Sequence, residues 1–276
     1  MSGVPVQVRK RAPPRRMRCG MLNVSFSGQR SVCKVCQGSA VLYGVVDFNK
    51  SCLELSKVFL PLRGVAVYYH QCESCGLIFS NAFDAWTAAE YQEHIYNADY
   101  ITVDPEYADA RPRSMAETVF KFLRPAGDIQ LLDYGGGSGL MAQILREKGL
   151  SATSWDPMTS QTPPDNSHFD VVTSFEVLEH TATPRATAQD MVKRLTPTGV
   201  LLFSTLVVDA LPPHQIGFWY IAPRNGHVTI YTKKSLQTLF GSLGCRVHHF
   251  NETMHMAFQT LPPWLASKKQ AGPSGA

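Results

Sequence analysis

The stretch IQLLDYGGGSG, residues 129–139, decides how the chain folds. Leu131 and Leu132 suit a strand buried on both faces, Asp133 closes it, and Gly135, Gly136, Gly137 and Gly139 crowd the turn that follows. The apolar-periodic run Leu140, Met141, Ile144 and Leu145 then predicts a helix. Glycine admits positive φ and lets a ligand lie against bare main chain, and Ser138 is placed to cap a helix whose free N–H groups face the same hollow. A dinucleotide fingerprint needs glycine or alanine three places after its second glycine, and measured from Gly137 that place holds Leu140. The turn therefore suits a different nucleotide-like ligand.

Three further segments extend this reading. SATSWDP at 151–157 is a second short strand ending in Asp156, where a carboxylate can accept from both ribose hydroxyls. HFDVVTSFEVLEH at 168–180 is a strand opened by Asp170, with Phe175, Glu176 and Val177 at its carboxyl end, and TPTGVLLFST at 196–205 is another with its preceding turn. In order and spacing these segments resemble the class I S-adenosylmethionine-dependent methyltransferases, over residues 114–260. The resemblance implies a Rossmann-like α/β sheet in a domain at 126–265. It also implies S-adenosylmethionine as cofactor, held by Asp133, Tyr134, Gly135, Gly136, Gly137, Gly139, Asp156, Phe175, Glu176 and Val177. Only 13 residues, Pro157 to Phe169, separate Asp156 from Asp170, too few for a crossover helix and a full strand. The family's third strand should be reduced or missing, leaving Asp165 as a weak substitute for its adenine-side acid.

The 276 residues suffice for one α/β domain and a smaller module. The net charge of +4 is local: Arg9, Lys10, Arg11, Arg15, Arg16 and Arg18 stand without an acid, leaving the rest at −2. This Pro- and Arg-rich arm, residues 1–30, cannot bury a core and should be disordered. It could touch nucleic acid or anionic lipid, imitate a transit peptide, or reflect a start at Met17 or Met21; an inert tail is the plainest reading. No apolar run approaches the roughly 18 residues of a membrane span, so a soluble, cytoplasmic chain without a membrane partner is expected.

Four of seven cysteines form two pairs, CKVC at 33–36 and CESC at 72–75, separated by 35 residues. Each pair lets two thiolates from one tight turn take adjacent corners of a tetrahedron, so Cys33, Cys36, Cys72 and Cys75 predict a closed structural zinc site. The module, residues 31–80, should be zinc-ribbon-like, with VLYGVVDF and GVAVYYHQC as hairpin strands between the knuckles. A redox dithiol and unmetallated buried cysteines are the competing readings. Cys19, Cys52 and Cys245 lack partners at ligand spacing.

Residues 81–125 read as a helical linker or lid. Thr87 with Glu90 and Ser114 with Glu117 fit capping boxes, and Tyr96 and Tyr100 are lid candidates. Thr183 and Pro184 should start a helix that Pro197 stops. DALPPHQIGFWYIAPRNGHVTIYT at 209–232, with Trp219, Tyr220, Arg224 and His227, reads as the loop of the acceptor pocket, since loops at the carboxyl ends of parallel strands carry function. Thr232 should cap the last helix, CRVHHFN and MHMAFQT should close the sheet as an antiparallel pair, and residues 266–276 form a tail expected to be disordered. His180 and His227 are the candidate bases, with His214 behind them. A small-molecule acceptor is expected. The CxxC pairs placed before such a domain also resemble the sugar C-methyltransferases of antibiotic pathways, so a sugar or another secondary metabolite is the finer reading. Methylation of RNA or protein is the alternative, although the slightly acidic body disfavours nucleic acid. A non-catalytic scaffold is the third.

Overall fold

A computed structural model describes residues 30–123, 128–159, 164, 168–211 and 215–266. Residues 1–29 of the arm (Cys19 among them), Pro125, Asp165, His214 and the tail beyond 266 lie outside them, whereas Arg30, counted with the arm, begins a strand. In chain order the strands and helices are β1 (Arg30–Val32), β2 (Ser39–Asp47), β3 (Ala66–Cys72), β4 (Ile78–Phe79), α1 (Ala88–His94), α2 (Tyr100–Val103) and α3 (Ala110–Leu123). There follow β5 (Gln130–Tyr134), α4 (Leu140–Glu147), β6 (Ser151–Trp155), β7 (Phe169–Phe175), α5 (Pro184–Lys193) and β8 (Leu195–Ser204). The chain closes with β9 (Thr229–Ile230), α6 (Lys233–Gly241), β10 (Arg246–His249), β11 (Met254–Phe258) and α7 (Pro263–Ala266).

The larger sheet has the order β10-β11-β8-β7-β5-β6, with β6, β5, β7 and β8 parallel and β11 and β10 antiparallel at the far edge. This is a Rossmann-like α/β sheet, and its buried central strands explain the continuous apolar runs that mark β5, β7 and β8. Among the described residues nothing pairs outside β6, in keeping with the short link after Asp156. Ala116, Val119 and Leu123 of α3 and Met141, Ala142 and Leu145 of α4 cover one face, in a core with Leu131, Val171, Val200 and Leu202. Leu178, Ala188, Met191, Leu236, Leu239 and Phe240 cover the other.

The smaller sheet has the order β1-β2-β3-β4-β9. Its fifth strand comes not from the N-terminal module but from the stretch after β8: Ile78 pairs with Ile230, and Phe79 with Thr229. The four paired cysteines share a core cluster with Leu132, Tyr134 and Phe203 of the larger sheet, so the module is packed onto the α/β body.

Local signals fared unevenly. The Thr87–Glu90 box forms at α1, and Thr232 caps α6 with Ser235 as its partner. The Ser114–Glu117 box does not, because α3 already runs from Ala110. The Arg111 guanidinium meets Asp104 in two 2.8 Å bonds, tying that earlier start to α2. Pro197 does not stop α5, which ends at Lys193; the proline lies within β8.

Candidate active site and metal centre

The glycine turn joins β5 to α4 at the carboxyl edge of the larger sheet. Gly136 has no room for a side chain: a Cβ there would stand 2.2 Å from Ser154 Oγ and 2.3 Å from Asp133 Oδ2. Gly137, at φ +56, faces open space, with nothing within 4 Å of a Cβ. One glycine thus serves packing and the next presents bare main chain outward. Ser138 does not cap α4. Gly139, left-handed at φ +79, is the N-cap and offers no side-chain acceptor, so first-turn N–H groups of α4 remain for a ligand. Gly136→Ala should cost about 2–4 kcal/mol of stability, whereas Gly137→Ala should cost about 1 kcal/mol while weakening cofactor binding more than tenfold. Paired denaturant melts and cofactor titrations check the contrast.

Two acids flank the turn. Asp156 Oδ2 accepts from the Gly137 N–H at 2.9 Å, and Oδ1 from the Met158 N–H at 2.8 Å. The carboxylate is turned toward the glycine turn, and among the described residues its remaining lone pairs take no other donor, leaving them for hydroxyl groups. Asp133 lies beneath the turn rather than lining the hollow. Burial pushes its carboxyl up to about 7, against the pull of the Thr173 hydroxyl, which donates to Oδ1 at 3.3 Å. The Tyr134 ring, placed at the ligand by sequence, turns into the core and meets Trp155 edge-on at 5.1 Å. Phe175 packs toward the α3–α4 face, while Val177 presses on Gly135.

Past β7 the chain turns sharply at Glu176, a non-glycine residue at φ +54, into a 3-10 turn over Leu178–His180. The Ser204 hydroxyl accepts from the Glu176 N–H at 2.9 Å and donates to Glu176 Oε1 at 2.8 Å, which holds the unusual conformation. This turn delivers His180 against His227, ring edge to face at 4.8 Å. Both imidazoles are pushed below their ordinary range, chiefly by burial. His227 Nδ1 lies 2.9 Å from the Tyr220 carbonyl, which can only accept, so Nδ1 carries the proton and Nε2 the lone pair. The Tyr220 hydroxyl donates to Glu179 Oε1 at 2.5 Å. Burial, then the neighbouring Glu176 charge, lifts the Glu179 carboxyl well above the usual range. Ligand-type atoms of Glu179, His180 and His227 lie within 4.8 Å of one another.

Glu179, which sequence reading left without a role, and Tyr220, read as an acceptor-loop residue, complete a buried cluster; an acid between Leu178 and His180 was the available signal for Glu179. Of the two lid candidates, Tyr100 is buried beside it and Tyr96 is half-buried against it. Tyr96 sits 6.0 Å from the His180 ring, and the Tyr100 hydroxyl donates to the Asn225 carbonyl at 3.4 Å. Arg224, read as a pocket residue, instead donates to the Ile95 carbonyl at 3.1 Å and clamps the 223–227 turn.

The N-terminal module grips the same turn. The Tyr69 hydroxyl donates to the His227 carbonyl at 2.7 Å, the Cys52 N–H to Asn225 Oδ1 at 2.8 Å, and the Ser80 N–H to the Val228 carbonyl at 2.9 Å. Cys33, Cys36, Cys72 and Cys75 bring one sulfur each within 4.8 Å of one another, at 3.6 Å for Cys33–Cys75 and 3.3 Å for Cys36–Cys72. Backbone N–H groups of Val35 and Cys36 point at Cys33 Sγ, and those of Ser74 and Cys75 at Cys72 Sγ. Such knuckles stabilise thiolates, and a soft four-sulfur set of this shape fits zinc with no open position.

Four parallel strands with an uncapped glycine turn at their carboxyl edge and an acid at the next strand end give the layout of the α/β class, in which ligands lie at that edge. The family model described as Methyltransferase domain matches residues 107–250, more than half of the chain, and the chain belongs to that family. It is similar to the ubiquinone biosynthesis O-methyltransferases of Parvibaculum lavamentivorans, 27% identical over 108 residues (30% of this chain, 43% of that protein), and of Idiomarina loihiensis, 30% identical over 105 residues (28% and 42%). The matched stretch spans less than half the length of these relatives. Among solved structures, an O-methyltransferase family protein from Burkholderia thailandensis aligns with a TM-score of 0.49 and 18% identity, covering 65% of this chain and 64% of that one.

Proposed function

We propose that the chain is an S-adenosylmethionine-dependent methyltransferase acting on a small-molecule acceptor, a sugar or other secondary metabolite, whose reacting atom gives up a proton. The observation that carries this reading is the open Gly137 main chain between the uncapped start of α4 and the Asp156 carboxylate. The helix start suits the carboxylate of the cofactor's amino-acid end, and Asp156 suits its ribose hydroxyls. When bound, S-adenosylmethionine supplies a methyl group on a positively charged sulfur.

This chain's own residues then have three tasks. Glu176 and Val177 fix the floor between the glycine turn and the histidine pair. The Tyr220 carbonyl holds His227 in the tautomer that leaves Nε2 free to take the acceptor's proton. Glu179, holding the Tyr220 hydroxyl, keeps that carbonyl in place. His180 packs against the His227 ring and keeps water from it. The four cysteines would hold a structural zinc that staples the module gripping His227. The O-methyltransferase names of the partial relatives favour an oxygen acceptor. Incubating the protein with methyl-labelled cofactor and whole-cell extracts, followed by mass spectrometry of the small-molecule, RNA and protein fractions, tests the reading; label appearing only in RNA or protein would reject the small-molecule acceptor.

Asp133 adds a pH dependence. A carboxyl whose folded pKa stands near 7, above its ordinary value, stabilises the fold when protonated, and that contribution is lost as pH rises toward and through 7. A cationic ligand favours the ionised form, so cofactor affinity should rise as pH climbs through 7, with proton release on its acid side. Calorimetry in two buffers of different ionisation enthalpy measures that release, and Asp133→Asn should abolish it.

A further inference from the structure

Beyond β2 the chain forms a loop, LSKVFLPLRG at residues 55–64, that leaves four large apolar side chains in water. Leu55 is 60% exposed, Val58 48%, Phe59 68% and Leu62 83%. Single exposed apolar residues are ordinary, but four on one ten-residue loop form a patch that needs an occupant. We propose that this loop is an interfacial anchor that seats Leu55, Val58, Phe59 and Leu62 in the headgroup region of an anionic lipid surface.

The loop is built to display these side chains. Asp47 accepts from the N–H groups of Arg63 at 2.9 Å, Gly64 at 2.7 Å and Val65 at 3.3 Å, fixing its far end. Asn49 Nδ2 donates to the Pro61 carbonyl at 2.7 Å, and the Val58 N–H to the Leu53 carbonyl at 3.1 Å. Lys57, left-handed at φ 62, turns the chain outward after the 3-10 turn Cys52–Ser56. The apolar side chains therefore stand on a tied frame.

Charge selects the occupant. Lys57 and Arg63 are the only ionisable residues in the loop, and both are exposed cations. The Arg63 guanidinium lies 5.4 Å over the Phe48 ring, at the base of the loop. The Asp47 carboxylate at that base is taken up by backbone N–H groups, so the loop's own charge is that of its two cations, and an apolar tip above them matches anionic headgroups over an acyl boundary. Protein interfaces are instead depleted in lysine, and the irregular backbone of the loop offers no strand edge for pairing. Beside the loop, a cleft of about 530 Å³ has Leu55, Lys57 and Phe59 on one wall, with Glu54 neutralised by Lys50 at 2.8 Å, and Phe218 and Trp219 on the other. Tryptophan is favoured at such an interface. The Trp219 ring meets Tyr220 at 5.3 Å, and Tyr220 meets His227 at 4.3 Å. The cleft beside the anchor thus connects through Trp219 and Tyr220 to the proposed base, and this last link alone rests on the methyl-transfer reading. No described helix is long and apolar enough to cross a membrane, so the contact is peripheral.

Co-sedimentation of the full chain with vesicles of phosphatidylcholine, alone or mixed with phosphatidylglycerol, tests the proposal. The chain should bind the mixed vesicles and release them as salt is raised. Phe59→Glu combined with Leu62→Glu should weaken binding by about tenfold or more, and Lys57→Ala with Arg63→Ala should remove the preference for anionic lipid. Unchanged thermal melting and unchanged heat of S-adenosylmethionine binding would show that the variants are folded. Equal binding to both vesicle types, or full binding by the double glutamate variant, would overturn the proposal; the latter would place any lipid contact elsewhere, as on the basic arm. A dimer in solution that dissociates in that variant, without vesicle binding, would assign the patch to a second copy instead.

Discussion

Exchanging Cys72 for serine should release a bound zinc ion and, with it, loosen the turn that carries His227. Structural zinc sites hold on the order of 10 kcal/mol of folding free energy, so the loss should far exceed an ordinary core truncation. The route is short. Cys72 ends β3, which pairs with β4, and β4 pairs with β9 just beyond His227. The Thr232 hydroxyl donates to the Cys75 carbonyl at 2.6 Å, a second tie from the same knuckle to the start of α6. Metal analysis should fall from one zinc per chain to none. Hydrogen exchange should quicken at Val228, whose N–H donates to the Glu179 carbonyl, and at Ile230, while β5 and β7 stay protected. Loss of metal with unchanged exchange at 228–230 would separate the module from the histidine turn.

The second large effect is expected at His227. Removing the imidazole by His227→Ala should lower kcat by about 10²- to 10⁴-fold, the usual worth of a positioned base, with KM moving far less. Burial pushes this histidine below its ordinary pKa, so it stays neutral at pH values where an exposed histidine is already protonated. The acid limb of the kcat profile should therefore lie below pH 6.5 and disappear in the alanine variant. The buried neutral ring has a stability consequence of the same sign. Unfolded chains take up a proton below about 6.5 that the folded state resists, so the fold weakens as pH falls through that window. A profile unchanged in the variant would remove His227 from proton transfer and leave it as a packing residue.

What could be read from the sequence follows the range of the interactions concerned. The strand, glycine turn and helix at 129–145 were legible because a doubly buried strand writes its apolar run locally, and the cysteine pairs because each knuckle is a four-residue unit. That the third strand would be reduced or missing followed from chain length alone, and among the described residues no strand pairs beyond β6. The pairing of β9 with β4 could not be read, since two residues, Thr229 and Ile230, give no periodicity and their partner lies 150 positions away. Nor could the inward turns of Asp133 and Tyr134, which depend on Ser154 and Trp155 from the neighbouring strand. Ser138 lost the helix cap to the left-handed Gly139, a competition that composition does not settle. Glu179 stayed hidden because its partner, Tyr220, is distant in the chain.

Calorimetric titration of the full chain with S-adenosylmethionine bears most directly on the central claim, that the hollow between Gly137, the start of α4 and Asp156 receives this cofactor. Saturable one-to-one binding in the micromolar range is expected, weakened by about tenfold or more in Asp156→Ala as two ribose hydroxyl contacts are lost. No heat at millimolar cofactor, or equal binding by the Asp156→Ala chain, would contradict it.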